Sequence, residues 1–216
     1  MNRIRPVIVV RLTRPARRTM SMKNVLVAVA DGCEDIETVT LIDTLRRGRV
    51  DVTVASVGKS TTVTLAHRTK LVADAALESV KPRTFDCIAL PGGMPGATNL
   101  HDSATLAGML KKQRAEKRWI AAICASPFVV LHQHGLLRGS RATCYPSFAS
   151  KLPSDVRADG DPDVVISSQI VTSRGPGTAT SFALSVLAVL NGNKSANDVA
   201  SALLVDFVAP VPLQAA

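Results

Sequence analysis

Residues 119–128 read WIAAICASPF, an apolar run that ends abruptly on Cys124. A cysteine at a sharp strand-to-helix turn is held with its side chain above the sheet, as a nucleophile is held at an elbow. The helix expected after it, with Pro127 in its first turn, offers unpaired N–H groups and the positive end of a dipole. Both would lower the thiol pKa toward the reactive thiolate. Taken alone, the stretch favours a small buried core residue, which is what most free cysteines are.

Two further stretches shift that balance. Gly92 and Gly93 in LPGGMPGA let the backbone approach a reacting group. With the N–H of Ala125 they could receive a developing negative charge. Glu37 in DGCEDIE falls in the first turn of a helix, where an acid also suits the helix dipole. Buried beside a thiolate it would keep its proton, donate a hydrogen bond to sulfur and later shuttle a proton. Glu34 and Asp35 read as solvated loop acids.

These residues need elements to position them. NVLVAVA (24–30), VDVTVASV (50–57), FDCIAL (85–90) and WIAAIC (119–124) are continuously apolar, as strands covered on both faces should be. RATCYP, DVVISS and QIVTS read as short strands. Helical spacing of Ile36, Val39, Ile42 and Leu45 follows the first strand; further helices are expected over 105–118, SPFVVLHQHGLL, 178–191 and 194–205. A Ser/Thr-rich turn follows residue 57. Strand-then-helix alternation predicts one α/β domain built on a doubly wound, mostly parallel sheet, spanning 23–208, with 209–216 a frayed tail. Ligands of such sheets bind at the carboxyl ends of the strands. The DGCEDIE, LPGGMPGA and CASP loops all fall there.

The formal charge of +9 looks like a nucleic-acid signal until it is located. Residues 1–23 hold Arg3, Arg5, Arg11, Arg14, Arg17, Arg18 and Lys23 with no acid; removing these seven from 26 leaves 19 basic residues against 17 acidic. The basicity belongs to the leader, and a nucleic-acid partner is not expected. The leader, residues 1–22, suits an organelle transit peptide or an upstream start codon, with Met20 or Met22 opening the body. Cytoplasmic or mitochondrial localisation is expected and secretion is not, because arginines interrupt any apolar signal core. No stretch is apolar over the roughly 18 residues of a membrane span. The four cysteines, 33, 87, 124 and 144, have no paired spacing, which fits free thiols. The four histidines lack metal-ligand spacing to them, so no metal is expected.

DGCEDIETV, IDTLRR, VTVASV, LPGGMPGATNL, IAAICASP and TSRGPGTATSFAL together resemble, in order, the ThiJ/PfpI superfamily, and the branch holding the Parkinson-associated protein deglycase and its bacterial relatives. The resemblance covers about residues 23–205. It implies a flavodoxin-like three-layer sandwich (class I glutamine amidotransferase-like), a homodimer, Cys124 as nucleophile and Glu37 as its protonated partner. Gly92, Gly93 and Ala125 would supply backbone donors. Tyr145, Arg47, Arg174 and Pro176 match positions bordering the pocket or the dimer interface, and so does Arg68, which reads better as a surface residue.

The protease-like branch has His directly after the nucleophile, and Ala125 stands there, so a peptidase is not expected. Many relatives carry a pocket His where this chain has Tyr145, whose phenol cannot serve as an imidazole base. The implied activity is cofactor-free conversion of α-oxoaldehydes such as methylglyoxal to hydroxy acids, or deglycation of early adducts. The alternative is a redox sensor or chaperone-like stress protein acting through oxidation of Cys124.

Overall fold

The computed structural model describes residues 22–214, and the leader, save Met22, lies outside them. β1 (Asn24–Val29), α1 (Asp35–Arg47) and β2 (Asp51–Ser56) are followed by the antiparallel hairpin β3 (Thr62–Thr64) and β4 (Lys70–Val72), then β5 (Ala75–Ala76) and α2 (Leu77–Val80). Next come β6 (Cys87–Leu90), α3 (Gly96–His101), α4 (Ala104–Ala115) and β7 (Trp119–Ile123). A π-helical turn over Pro127–His132 leads to α5 (Pro146–Ala149), β8 (Val164–Ser167) and β9 (Ile170–Ser173). A 3₁₀ turn over Pro176–Thr178, α6 (Ala179–Asn191) and α7 (Asn193–Ala202) complete the body.

Seven strands form one sheet in the order β5-β2-β1-β6-β7-β9-β8, parallel except for the β8–β9 pair. The chain moves one way from β1 to β2 and the other way from β6 to β7. Right-handed crossovers running in opposite directions place their helices on opposite faces. Accordingly α1, α6 and α7 pack together, while α2, α3, α4 and the π turn form the other layer. This is the three-layer, doubly wound α/β sandwich expected. Val25 to Val29 of β1 are all fully buried, as are Ile88 and Leu90 of β6 and Ile120 and Ile123 of β7 to within 1 %. Burying a Val, Leu or Ile side chain contributes roughly 1.5–3 kcal/mol. That is why these uninterrupted runs settle in the middle of the sheet.

Four elements differ from expectation. RATCYP forms no strand: Ala142, Thr143 and Cys144 are buried, but only Ala142 makes a single bridge, to Arg157. The helix expected over SPFVVLHQHGLL is a six-residue π turn, after which Gly135 and Gly139 at φ 71° and 66° turn the chain. The Ser/Thr-rich turn contains the β3–β4 hairpin, whose only buried strand residue is Val63. In the tail, Leu213 donates its N–H to Ile166 O at 2.8 Å and bridges Ser167 of the edge strand β8.

Gln113 joins the sheet to α4. Its buried amide donates to Phe85 O and Trp119 O, both at 3.0 Å, at the amino ends of β6 and β7. Gln113→Ala leaves those carbonyls without this donor and is expected to cost about 1–3 kcal/mol. Urea unfolding of the full chain checks this, and a midpoint unchanged from wild type would show that other donors replace the amide.

Candidate active site

The switch point of the sheet lies between β1 and β6, and ligands of doubly wound folds bind at the carboxyl edge there. Three loops meet at that edge. The first follows β1 and opens α1. Glu34 is its N-cap, with Oε2 accepting from the Glu37 N–H at 2.7 Å. Its carbonyl accepts from the Thr38 N–H at 3.1 Å and from Thr38 Oγ1 at 2.6 Å. Glu34 is buried, 7 % exposed, so the expectation of a solvated loop acid is corrected. Asp35, at the start of α1, accepts from the N–H groups of His67 and Thr69 and so holds the hairpin turn against α1.

The second loop follows β6. Gly92 donates its N–H to Glu37 Oε2 at 2.7 Å and accepts at its carbonyl from the Glu34 N–H at 3.0 Å. A Cβ at position 92 would lie 2.6 Å from Cys124 Cβ and 2.8 Å from Ile123 O. Gly93 has φ 85°, and a Cβ there would lie 2.5 Å from Glu34 N. Glycine is needed at both positions because three chain segments approach one point. Overpacking of this kind costs about 1–3 kcal/mol. Gly92→Ala is therefore expected to lower the melting temperature by several degrees, since each kcal/mol shifts it ~2–4 °C in a domain of this size. Calorimetry checks this, and a melting temperature equal to wild type would contradict the close approach.

The third loop follows β7. Cys124 has φ 64°, a strained conformation for a residue with a side chain, and the mark of an elbow. Tertiary bonds hold it there: its N–H donates to Ser173 O at 2.9 Å, and its carbonyl accepts from the Tyr145 N–H at 2.7 Å. Ser126 Oγ, fully buried, donates to Pro91 O at 2.5 Å and ties this elbow to the β6 loop. The N–H groups of Gly93 and Ala125 are directed at the Cys124 sulfur and act to stabilise its anion. Gly92 does not join them, because its N–H is committed to Glu37.

Glu37 is 1 % exposed. Its Oε1 has no hydrogen-bond partner, while the carboxyl lies close enough to the Cys124 thiol for each to perturb the other. Burial is the main reason its pKa rises to about 7, and the Glu34 charge adds to the rise; Gly92 and Cys124 oppose it. An orphaned buried carboxyl oxygen is where a proton belongs, so the proton that Glu37 holds below about pH 7 sits on Oε1.

Cys124 departs from the sequence expectation. Burial first, and the Glu37 charge second, push its thiol up to about 12, against the pull of the Gly93 and Ala125 N–H groups. The short π turn behind it does not offset that desolvation. The two groups therefore behave as one pair. The pair loses a first proton near neutral pH and holds the second into the alkaline range. At physiological pH the pair holds one proton between its carboxyl and its thiol.

The remaining candidate residues divide. Tyr145 caps α5, is 43 % exposed and lies over Gly175, with Cδ2 at 3.3 Å from where a Cβ would stand. Arg174 directly follows the Ser173 carbonyl that holds Cys124 and pairs with Asp163 at 3.6 Å. Pro176 opens the 3₁₀ turn just beyond. These three stand on the segments around the elbow. Arg47 does not: ten residues along α1 from Glu37, roughly 15 Å at helical rise, it pairs with Asp43 at 2.7 Å near the far end of that helix. Its assignment to the pocket of its own chain is corrected, and the dimer-interface alternative stays an expectation. Arg68 sits exposed in the hairpin turn. Among the described residues no histidine is hydrogen-bonded to Cys124 or Glu37, and no group of three or more His, Cys, Asp or Glu is placed to hold a metal.

Sequence reasoning missed the roles of Glu34, Ser126 and Ser173. The E-x-x-E spacing of Glu34 and Glu37 resembles a capping box and was a usable signal. The other two are set only by tertiary packing.

A doubly wound sandwich with an elbow cysteine facing a buried carboxyl across a glycine loop defines a class of cysteine-centred α/β proteins. Residues 23–189 match the model described as the DJ-1/PfpI family, and the chain belongs to that family. It is similar to Protein DJ-1 homolog A of Arabidopsis thaliana, 43 % identical over 84 % of this chain and 46 % of that protein. It is also similar to the glutathione-independent glyoxalase DJR-1.2 of Caenorhabditis elegans, 38 % identical over 78 % and 89 %. Among solved structures, "Toxoplasma gondii DJ-1, oxidized" superposes with a TM-score of 0.83 at 47 % identity, covering 85 % of this chain and 98 % of that one. The chain spans less than half the length of the two Arabidopsis relatives it matches.

Proposed function

We propose that this protein converts α-oxoaldehydes, methylglyoxal among them, to hydroxy acids without glutathione. The observation that carries the reading is the pairing of the Cys124 elbow with a buried carboxyl that perturbs the thiol and keeps one oxygen free of hydrogen bonds. A relative at 38 % identity is named for such a glyoxalase activity.

The steps use only the chain's own groups. The thiol proton passes to Glu37 Oε1 as sulfur bonds to the aldehyde carbon. The aldehyde C=O opens to an oxyanion that the N–H groups of Gly93 and Ala125 receive, and protonation gives a hemithioacetal. Glu37, again ionised, removes the hydrogen on that carbon and returns it to the neighbouring ketone carbon through an enediol. The product is a thioester of the hydroxy acid. Water cleaves the C–S bond, releasing the acid and restoring the thiol. Deglycation of early aldehyde adducts would use the same addition step. A Cys-His peptidase is not supported, since among the described residues no histidine is hydrogen-bonded to the sulfur.

Lactate formed from methylglyoxal by the full chain in glutathione-free buffer tests the reading, and lactate no faster than in buffer alone would overturn it. The second reading, a redox sensor, is favoured by one observation: the relative at 47 % identity was solved in a form described as oxidized. No turnover together with selective peroxide oxidation of Cys124 would support it. The homodimer belongs to the same proposal, and light scattering of the full chain checks it. So does the choice between cytoplasm and mitochondrion. No helix among the described residues is long and apolar enough to cross a membrane.

A further inference from the structure

We propose that Glu34 is a positioning residue for the Cys124–Glu37 pair: it fixes the Glu37 backbone, couples it to the Gly92 loop, and places a negative charge that makes the Glu37 carboxyl a stronger base. The inference rests on the proposed chemistry of that pair.

Three bonds make the frame. Glu34 Oε2 accepts from the Glu37 N–H at 2.7 Å, and the Glu34 N–H donates to Gly92 O at 3.0 Å. The Gly92 N–H then closes on Glu37 Oε2 at 2.7 Å. Glu34 thus links the helix that carries the carboxyl to the loop that hydrogen-bonds it. Long acids are uncommon as helix caps, where Ser, Thr, Asp and Asn lead. A threonine in its place could accept the same N–H, so the cap alone does not explain a 7 %-exposed carboxylate. Its charge does. The helix N-terminus helps support a negative charge at Glu34. Glu37 Oε1 has no such support. A like charge at short range in a desolvated site favours the protonated form of its neighbour.

The groups acting on Glu37 from the surrounding elements are Glu34 on its own loop, the Gly92 N–H from the β6 loop and Cys124 from the β7 elbow. Cys33, fully buried on the β1 loop, is also within electrostatic reach. Among the described residues no cation acts on Glu37. Glu34 is therefore the only fixed charge among them.

The test is the pH dependence of Cys124 alkylation by iodoacetamide, followed by mass, in wild type, Glu34→Gln and Glu34→Ala. Wild type should gain reactivity with a midpoint near 7, where the pair gives up its first proton. Glu34→Gln keeps an oxygen to accept from the Glu37 N–H and loses only the charge. Its midpoint should fall, so that at pH 6 it reacts roughly threefold closer to its own plateau than wild type does. That plateau should be lower, because Glu37 has become a weaker base for the thiol proton. Glu34→Ala should show the same lowered midpoint and a lower melting temperature from the lost cap. A cap without an electrostatic role would lower the melting temperature and leave the midpoint in place. Identical midpoints in wild type and Glu34→Gln would overturn the proposal. Alkylation reports the pair whether or not lactate forms, so failure of the glyoxalase reading is distinguishable from failure of this one.

Discussion

Cys124→Ser is expected to lower kcat/KM for lactate formation by about 10³-fold or more while leaving the fold intact. The substitution is nearly isosteric at a residue 8 % exposed, and the bonds that hold the elbow come from its backbone, to Ser173 and Tyr145. Folding therefore has little reason to change, and the melting temperature should stay within a few degrees of wild type. The chemistry has every reason to change. A serine hydroxyl is a far weaker acid than even a thiol pushed up to about 12, so Glu37 cannot take its proton to an appreciable extent. The donors at Gly93 and Ala125 are left in place, so any residual rate measures what backbone hydrogen bonds do without a sulfur nucleophile. Serine turnover within tenfold of wild type would remove Cys124 from the mechanism.

Glu37→Gln carries the second large effect, and it acts on rate and stability in opposite directions. Glutamine keeps an oxygen for the Gly92 N–H but can neither take nor return a proton, so kcat/KM should fall by roughly 10²–10⁴. Stability moves the other way at alkaline pH. The folded pKa of Glu37, about 7, lies above the ordinary 4.5, so the folded protein binds the proton more tightly than the unfolded chain. That preference is fully present below pH 4.5 and is lost as pH rises through 7. Wild type should therefore weaken relative to Glu37→Gln by on the order of 3 kcal/mol between those limits. Chemical denaturation at pH 5 and pH 8 checks the sign. Parallel pH dependence in the two proteins would mean that Glu37 ionises as easily folded as unfolded.

The central strands were legible because their physics is one-dimensional. NVLVAV and WIAAI are apolar at every position, and only a strand covered on both faces calls for that pattern. β3 and β4 were not legible, since Val63 alone is buried among exposed neighbours. The reverse error occurred at RATCYP, where Ala142 and Cys144 are buried without a ladder partner to make them a strand. Burial and strand pairing are separate constraints, and apolar pattern reports only the first. At the site, Cys124 and Glu37 could be found because each sits at the first turn after a strand. Their proton sharing could not, because it depends on how much water the folded loops exclude. Position beside a helix start argued for an acidic thiol, and desolvation won. Arg47 shows a different limit: a resemblance transfers a position along the chain, but the reach of its side chain is set by α1, which carries it away from the elbow.

The most direct test of the shared-proton account is kcat/KM for lactate formation from methylglyoxal across pH 5–9, for wild type beside Glu37→Gln. Wild type should rise with a single ionisation near pH 7 and then level off, as the pair passes from two protons to one. The Gln variant should lack that step at its much lower rate. A wild-type step that persists unchanged in Glu37→Gln would contradict the account, because some other group would then be titrating.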